Sequence, residues 1–408
     1  MTTSPERCLG GLIKELDKDE RPRERDFESK DETTYKTSSE QKLSLNSIYS
    51  FTSLSSLRTP FSEDNKISSI NKFSSFPFKK ASILAAFNSQ INTLILQKSL
   101  NNISKEEINN ILKEMEGTFS YVIRNKNGNY FCSDLLKICN KDQRIKILKE
   151  IYGTICDDCV DEFGTHPIQT LIERCECEEE YKLILFSFKD SNKILSSSLN
   201  QNGSYVIQKI IVHIPERYRM KFNLMFIKYL SVLSMDMYSV CTVKKFIGYT
   251  KNEFLLKQIL NIILTNFVNI SLNQYGNYLI QYLLDHWWKT NEGIFLKKMC
   301  ISKFHILAAN HFSSYICDLF IKLSNYEEKQ MLLSSLVKDK TISLLTNNLS
   351  GNIILNKLIN SLKNQKEENK TKKHIPLSLN NINSCHIKKE TEKEEKKDSK
   401  EINDKKDN

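Results

Sequence analysis

Proline is scarce where it would matter most. Of the seven prolines in 408 residues, only Pro167 and Pro215 fall between residues 81 and 362. A helix interior cannot accept proline, so this stretch is free to be helical throughout. No apolar run reaches the length that crosses a bilayer, and the charged N-terminus does not read as a secretory signal. Membrane insertion and export are therefore not expected. Phosphate-binding glycine loops, HExxH and paired-carboxylate motifs are also missing, so the chain does not read as an enzyme and no cofactor is expected.

Charge of one sign is not abundant either. The net charge is +10; residues 81–362 hold 32 Lys plus Arg against 26 Asp plus Glu, a balance of 32 − 26 = +6. That suits nucleic acid and plain solubility equally. Eleven cysteines without an export signal read as reduced thiols in a cytosolic or nuclear protein. Cys156, Cys159, Cys175 and Cys177 have a spacing that could hold zinc. Cys156 and Cys159 nevertheless fall in a predicted helix at positions where other copies of the pattern below are apolar, which favours buried structural thiols.

What the chain does have is repetition. A short signature returns eight times, most clearly as GTHPIQTLI from Gly164, GSYVIQKII from Gly203 and GNYLIQYLL from Gly276. Taking the residue after the glycine as position one, the copies start at Thr93, Asn129, Thr165, Ser204, Val240, Asn277, Ser314 and Asn352. The steps are 36, 36, 39, 36, 37, 37 and 38 residues, and a period of that size means a solenoid. Position four is Leu96, Cys132, Ile168, Ile207, Val243, Ile280, Cys317 and Leu355. Position eight is Leu100, Leu136, Ile172, Ile211, Ile247, Leu284, Ile321 and Ile359. Two apolar columns four residues apart lie on one helix face. Beginning the fifth copy at Ser239 would bring Thr242 into the first column, so Val240 is its position one.

Each unit then reads as a helix, a short turn, the signature helix and a third connecting segment. Ser104–Glu116 and Tyr249–Phe267 supply alternate amphipathic helices, the first with a capping serine at Ser104. Five of the eleven glycines, at 128, 164, 203, 276 and 351, precede position one, where a tight turn and close backbone approach are expected. Pro167 falls in the first turn of its helix, where the missing N–H costs little. The architecture expected is an all-α, right-handed curved solenoid of eight repeats over 81–362. It is flanked by a Ser-rich charged segment, 1–80, and a Lys/Glu-rich tail, 363–408, both too polar to bury a core and expected to be disordered. Ser4-Pro5 is a candidate phosphorylation site, and the mixed-sign tail reads as solvated.

Two polar columns run beside the apolar ones. Position five is Gln97, Ser133, Gln169, Gln208, Lys244, Gln281, Asp318 and Asn356. Positions one and five point the same way, about 6 Å apart. Position two, between them, is Leu94, Tyr130, His166, Tyr205, Cys241, Tyr278, Tyr315 and Ile353. Paired short polar groups can match the donors and acceptors of a base edge, and a ring beside them can stack on the base, worth ~1–3 kcal/mol. One trio per repeat would read one base of a splayed single strand. The bland alternative is a protein-binding solenoid of the HEAT or armadillo kind, which does not explain Asn or Ser at position one with Gln at position five.

Over roughly residues 81–362 these segments resemble the Pumilio/PUF family of RNA-binding proteins. The resemblance implies eight three-helix repeats in a crescent, each second helix reading one base, with chain and RNA antiparallel. It further implies that Asn with Gln selects uracil, Ser or Cys with Gln adenine, and Ser with Glu guanine. On that basis Asn277, Tyr278 and Gln281 match uracil; Ser314, Tyr315 and Asp318 resemble the guanine set with a shorter acid. Asn352 and Asn356 resemble the uracil set with Ile353 in place of a ring. Read from the C-terminal end, the order is U, G, U. Ser204, Tyr205 and Gln208 match adenine.

Asn129 with Ser133, Thr165 with Gln169, and Thr93 with Gln97 leave their bases unassigned, although Tyr130 and His166 are available to stack. Val240, Cys241 and Lys244 cannot make paired edge contacts, so the base there is unread, turned away, or held by Lys244 through its phosphate. The resemblance implies a cytoplasmic, monomeric regulator of mRNA stability or translation that binds UGU-containing 3′ untranslated regions and works through a deadenylase or repressor complex. A nucleolar relative acting on ribosomal RNA is the alternative within RNA binding.

Overall fold

The computed structural model describes residues 78–373. Ser4-Pro5, the N-terminal segment up to residue 77 and the tail from residue 374 lie outside the described residues. Those described are helical, without strands, and form a curved all-α repeat solenoid.

The eight signature helices are Gln90–Ser99, Gly128–Ile138, Thr165–Arg174, Gln201–His213, Ser239–Gly248, Gly276–Trp287, Ser314–Leu323 and Leu349–Lys373. Each packs on the next along the chain, so they form one continuous layer. All eight position-four residues are buried. At position eight seven are buried, while Ile359 of repeat 8, which no further repeat covers among the described residues, is half-buried. Positions three and seven add Phe131, Val206, Leu279, Ile316, Leu135, Leu171, Phe246, Leu283 and Phe320 to this core. At ~1.5–3 kcal/mol for each fully buried large aliphatic or aromatic side chain, this wide stripe is the main reason the units stack.

A helix precedes each signature helix and, in repeats 1 to 7, another follows, giving those repeats three helices. Lys105–Met115 begins at Ser104 with a capping box closed by Glu107. Asn140 with Gln143 and Asn325 with Glu328 repeat the device. Glu253–Thr265 fills the Tyr249–Phe267 stretch. Two departures follow from sequence. The third helix of repeat 6 and the first of repeat 7 are fused as Asn291–Ala309, a run without proline. The last helix continues to Lys373, past the expected array end at residue 362, because no glycine or proline after Gly351 stops it.

Buried polar clamps tie neighbouring repeats together. Arg144 donates to Glu180 at 2.6 Å, to Glu176 at 2.9 Å and to the Cys139 carbonyl at 2.8 Å. Arg219, fully buried, is held by the carbonyls of Ile214 and Tyr249 and by Asn223 Oδ1. Trp288 of repeat 6 meets Phe320 of repeat 7 edge-on at 5.4 Å, so it packs between units. Cys156, Cys159 and Cys175 are buried within the stack. Cys156 donates to the Ser187 carbonyl, Cys159 approaches Ser197 Oγ, and Cys175 donates to the Leu171 carbonyl. Burial pushes the Cys156 and Cys159 thiols up to about 12, so both keep their protons at neutral pH.

Candidate nucleic-acid interface

The turn that enters each signature helix is built by a further column that lies outside the apolar helix pattern. Four residues before position one stand Ser89, Asn125, Asp161, Asn200, Asp236, Asn273, Asn310 and Asn348. Their side-chain oxygens accept from backbone N–H groups two to three residues on: from Gly128 at 2.9 Å, Gly164 at 2.8 Å, Gly203 at 2.9 Å, Ser239 at 2.9 Å, Gly276 at 2.9 Å and Gly351 at 2.9 Å, with Ser89 and Asn310 doing the same in repeats 1 and 7. These bonds satisfy donors that a helix start leaves orphaned. Asp236 in this column also supports Val240 as position one of repeat 5.

The residue before position one explains the glycines. None of the five has positive φ; what they permit is close approach. A Cβ would lie 2.8 Å from the Val122 carbonyl oxygen at Gly128 and 2.9 Å from that of Leu345 at Gly351, and nearer still to Asp158, Ser197 and Ile270 at the other three. In every case the carbonyl belongs to the residue six positions earlier. Where serine replaces glycine, its hydroxyl donates to that same carbonyl: Ser239 to Leu233 and Ser313 to Leu307, both at 2.7 Å. In repeat 1 Thr93 donates to Ala86 at 3.0 Å. Small or hydrogen-bonding residues are thus the ones this turn accepts.

So positioned, positions one, two and five lie on a common face. Position two is outward: Tyr130, Tyr315 and His166 are exposed, and Tyr205 and Tyr278 half-buried. Position one lies beneath it, buried in repeats 1 to 6, half-buried at Ser314 and exposed at Asn352. In repeat 6 the Asn277 amide nitrogen donates back to the carbonyls of Asn273 and Gln274 at 3.0 and 2.9 Å. This leaves its oxygen facing along the helix, where it accepts from Gln281 Nε2 at 2.8 Å. Gln169 donates to Thr165 Oγ1 at 3.0 Å, and Asn356 to Asn352 Oδ1 at 3.0 Å. The two columns are therefore joined in repeats 3, 6 and 8.

Elsewhere they are not. Asn129 is oriented like Asn277, donating to Asn125 and Lys126 carbonyls. Its partner Ser133 is too short to reach forward and donates instead to the Asn129 carbonyl at 2.9 Å, so Asn129 Oδ1 is buried without a partner. Such an orphan acceptor costs ~1–3 kcal/mol. Ser204 and Ser314 turn their hydroxyls to the carbonyls of Gln201 and His311. Gln208 lies one turn beyond Ser204 and is buried. Gln97 reaches across to Asp134 of repeat 2 at 2.5 Å. Asp318 is bridged by Lys322 at 2.6 Å and by Lys357 of repeat 8 at 2.7 Å. Burial acts upward on the Asp318 carboxyl, but the hydrogen bonds from those two lysines outweigh it and hold it below the ordinary range. It is a carboxylate whose two oxygens each already accept from a lysine.

Repeat 5 stands apart. Val240 is a buried apolar group, Cys241 is exposed, and the Lys244 ammonium lies 5.8 and 5.9 Å from the rings of Tyr278 and Tyr282. Burial pushes Lys244 below the ordinary lysine range, with the Cys241 thiol acting weakly the other way.

The fold and this face define an α-helical repeat protein with a regular row of polar pairs and rings. Three segments, 122–152, 198–221 and 266–287, match the Pumilio-family RNA binding repeat. These matches support a protein of the Pumilio/PUF kind, to whose RNA-binding repeats the chain is similar. Pumilio homolog 12 of Arabidopsis thaliana is 24% identical over 290 residues, covering 70% of this chain and 48% of that one. Suppressor protein MPT5 of Saccharomyces cerevisiae (strain ATCC 204508 / S288c) is 23% identical over 301 residues, covering 71% and 32%. The chain thus spans half or less of the length of these curated relatives. Among solved structures, the Puf4 RNA binding domain bound to a HO endonuclease RNA 3′ UTR recognition sequence superposes with a TM-score of 0.62 at 19% identity, covering 70% of this chain and 88% of that one. PUF-8 in complex with PBE-RNA gives 0.62 at 16%, covering 74% and 88%.

Proposed function

We propose that this chain binds single-stranded RNA through a UGU core, in 3′ untranslated regions of cytoplasmic messages, and thereby sets their stability or translation, with a deadenylase or translational repressor complex as effector. The observation that carries this reading is repeat 6, where Asn277 and Gln281 are joined into one polar edge beside the half-buried ring of Tyr278. Such an edge offers a base both a donor and an acceptor, and the ring offers it a face. Repeat 8 joins Asn352 and Asn356 in the same way, and repeat 7 between them presents the Asp318 carboxylate. From the C-terminal end the order is U, G, U. The Puf4 neighbour, bound to a 3′ UTR recognition sequence, supports the class of target.

The test is selection of RNAs from a random pool by the full chain. Enrichment of a UGU core is expected. A motif lacking it would overturn the specificity, and no enrichment at all would favour a protein-binding scaffold.

A further inference from the structure

Repeat 5 has lost the means to read a base but not the means to hold a strand. Every base presents at least one N–H group on its pairing edge, beside acceptors. The joined pairs of repeats 3, 6 and 8 can answer both kinds of group. At repeat 5 Val240 offers neither, and an ammonium offers only donors. A base edge turned toward this slot would leave its own N–H unpaired. A phosphodiester, by contrast, presents acceptors only and carries the negative charge that an ammonium lacks.

The surroundings are of one sign. Lys244 and Lys245 are consecutive, and among the described residues neither has a carboxylate partner, whereas other lysines on these helices do. Lys137 pairs with Asp134, Lys209 with Glu173, and Lys322 and Lys357 with Asp318. Lys209 and His213 of repeat 4 lie close enough to Lys245 for their charges to interact. Glu173, already bound by Lys209, is the one carboxylate in this group. The rings of Tyr278 and Tyr282 flank the Lys244 ammonium without neutralising it.

We infer that repeat 5 is a backbone clamp, in which Lys244 and Lys245 grip an RNA phosphodiester while the base at that position goes unread. The inference rests on the RNA-binding reading above and adds a ligand group to it. Its consequence is a motif with one indifferent position between those assigned to repeats 6 and 4.

The experiment uses the full chain and the RNA that the wild type enriches from a random pool, synthesised with each of the four bases at that position. Affinities are measured across a salt series. For wild type, the four RNAs should bind alike. Lys244→Ala and Lys245→Ala should weaken all four equally, and each should reduce the slope of log affinity against log salt by about 0.7, the value for one single-strand phosphate contact. Lys244→Arg should keep the wild-type slope. The triple change Val240→Asn, Cys241→Tyr, Lys244→Gln, which copies repeat 6, should lower the slope and introduce a preference for uracil there of about fivefold or more.

A wild type that already discriminates among the four bases, or a Lys244→Ala chain that loses preference for one base while keeping its slope, would mean that Lys244 reads an edge, and overturns the clamp. An unchanged slope in both alanine variants also overturns it. A wild type that enriches no RNA sinks the underlying reading instead, so the two failures are distinguishable.

Discussion

Repeats 5 and 6 stand side by side with the same backbone and opposite chemistry. Both enter the signature helix through an acidic or amide cap, Asp236 and Asn273. Both bring the helix against the carbonyl six residues earlier, one with a serine hydroxyl and one with a glycine. Both bury positions four and eight, Val243 with Ile247 and Ile280 with Leu284. On the outer face they share nothing: Asn277, Tyr278 and Gln281 against Val240, Cys241 and Lys244. The scaffold and the reader are therefore written in different residues of the same helix, and one can be lost without the other.

The largest effect that would break this equivalence lies in the core. Ile280→Ala should cost ~2–5 kcal/mol of stability, since the side chain is wholly buried and its neighbours on both sides are fixed by the stack. Val243→Ala should cost less, because less volume leaves. Urea unfolding followed by circular dichroism checks both. A near-zero shift for Ile280→Ala would mean that repeat 6 is not held by its apolar columns.

On the outer face the two repeats should diverge. Tyr278→Ala and Gln281→Ala are each expected to cost ~1–3 kcal/mol in affinity for the selected RNA, Tyr278→Ala with the urea midpoint little changed and Gln281→Ala with a lowered one, because it leaves Asn277 Oδ1 without its donor. Cys241→Ala, at the position equivalent to Tyr278, should leave affinity unaltered because no ring is there to lose. Fluorescence anisotropy with one RNA decides it. Equal losses at Tyr278 and Cys241 would erase the proposed distinction between a reading and a non-reading repeat.

The scaffold was legible in the sequence because burial leaves a periodic trace. Apolar columns at positions four and eight fixed the repeat number, the register at Val240 and the helix face, and the Ser104 cap announced its helix. The cap column from Ser89 to Asn348 was equally regular, yet it stood outside the helix pattern and mixed Ser, Asn and Asp, so hydrophobic periodicity did not reveal it. Extending the columns four residues upstream would have. The last helix runs on to Lys373 because a polar sequence without glycine or proline can continue a helix that composition alone assigns to a tail. Pair geometry was the least legible. Nothing in the letters said that Ser133 would turn to its own helix and orphan Asn129 Oδ1, or that Asp318 would accept from a lysine of the next repeat. Those outcomes depend on side-chain reach between neighbours, which residue type constrains but does not decide.

The smallest effect tests the shared part of the scaffold directly. Asp236 and Asn273 each accept two backbone N–H bonds at 2.8 to 3.0 Å at the entrance to their helices. Removing such a cap costs ~1 kcal/mol, because backbone donors lose their partner while little packing changes. If scaffold and reader are separate, Asp236→Ala and Asn273→Ala should shift the urea midpoint by similar amounts, although one repeat carries a complete reading trio and the other none. A loss confined to Asn273→Ala would mean that the cap serves the polar pair above it, since Asn277 Nδ2 donates to the Asn273 carbonyl in the same turn. The separation drawn between repeats 5 and 6 would then fail at the turn, where the two structures are most alike.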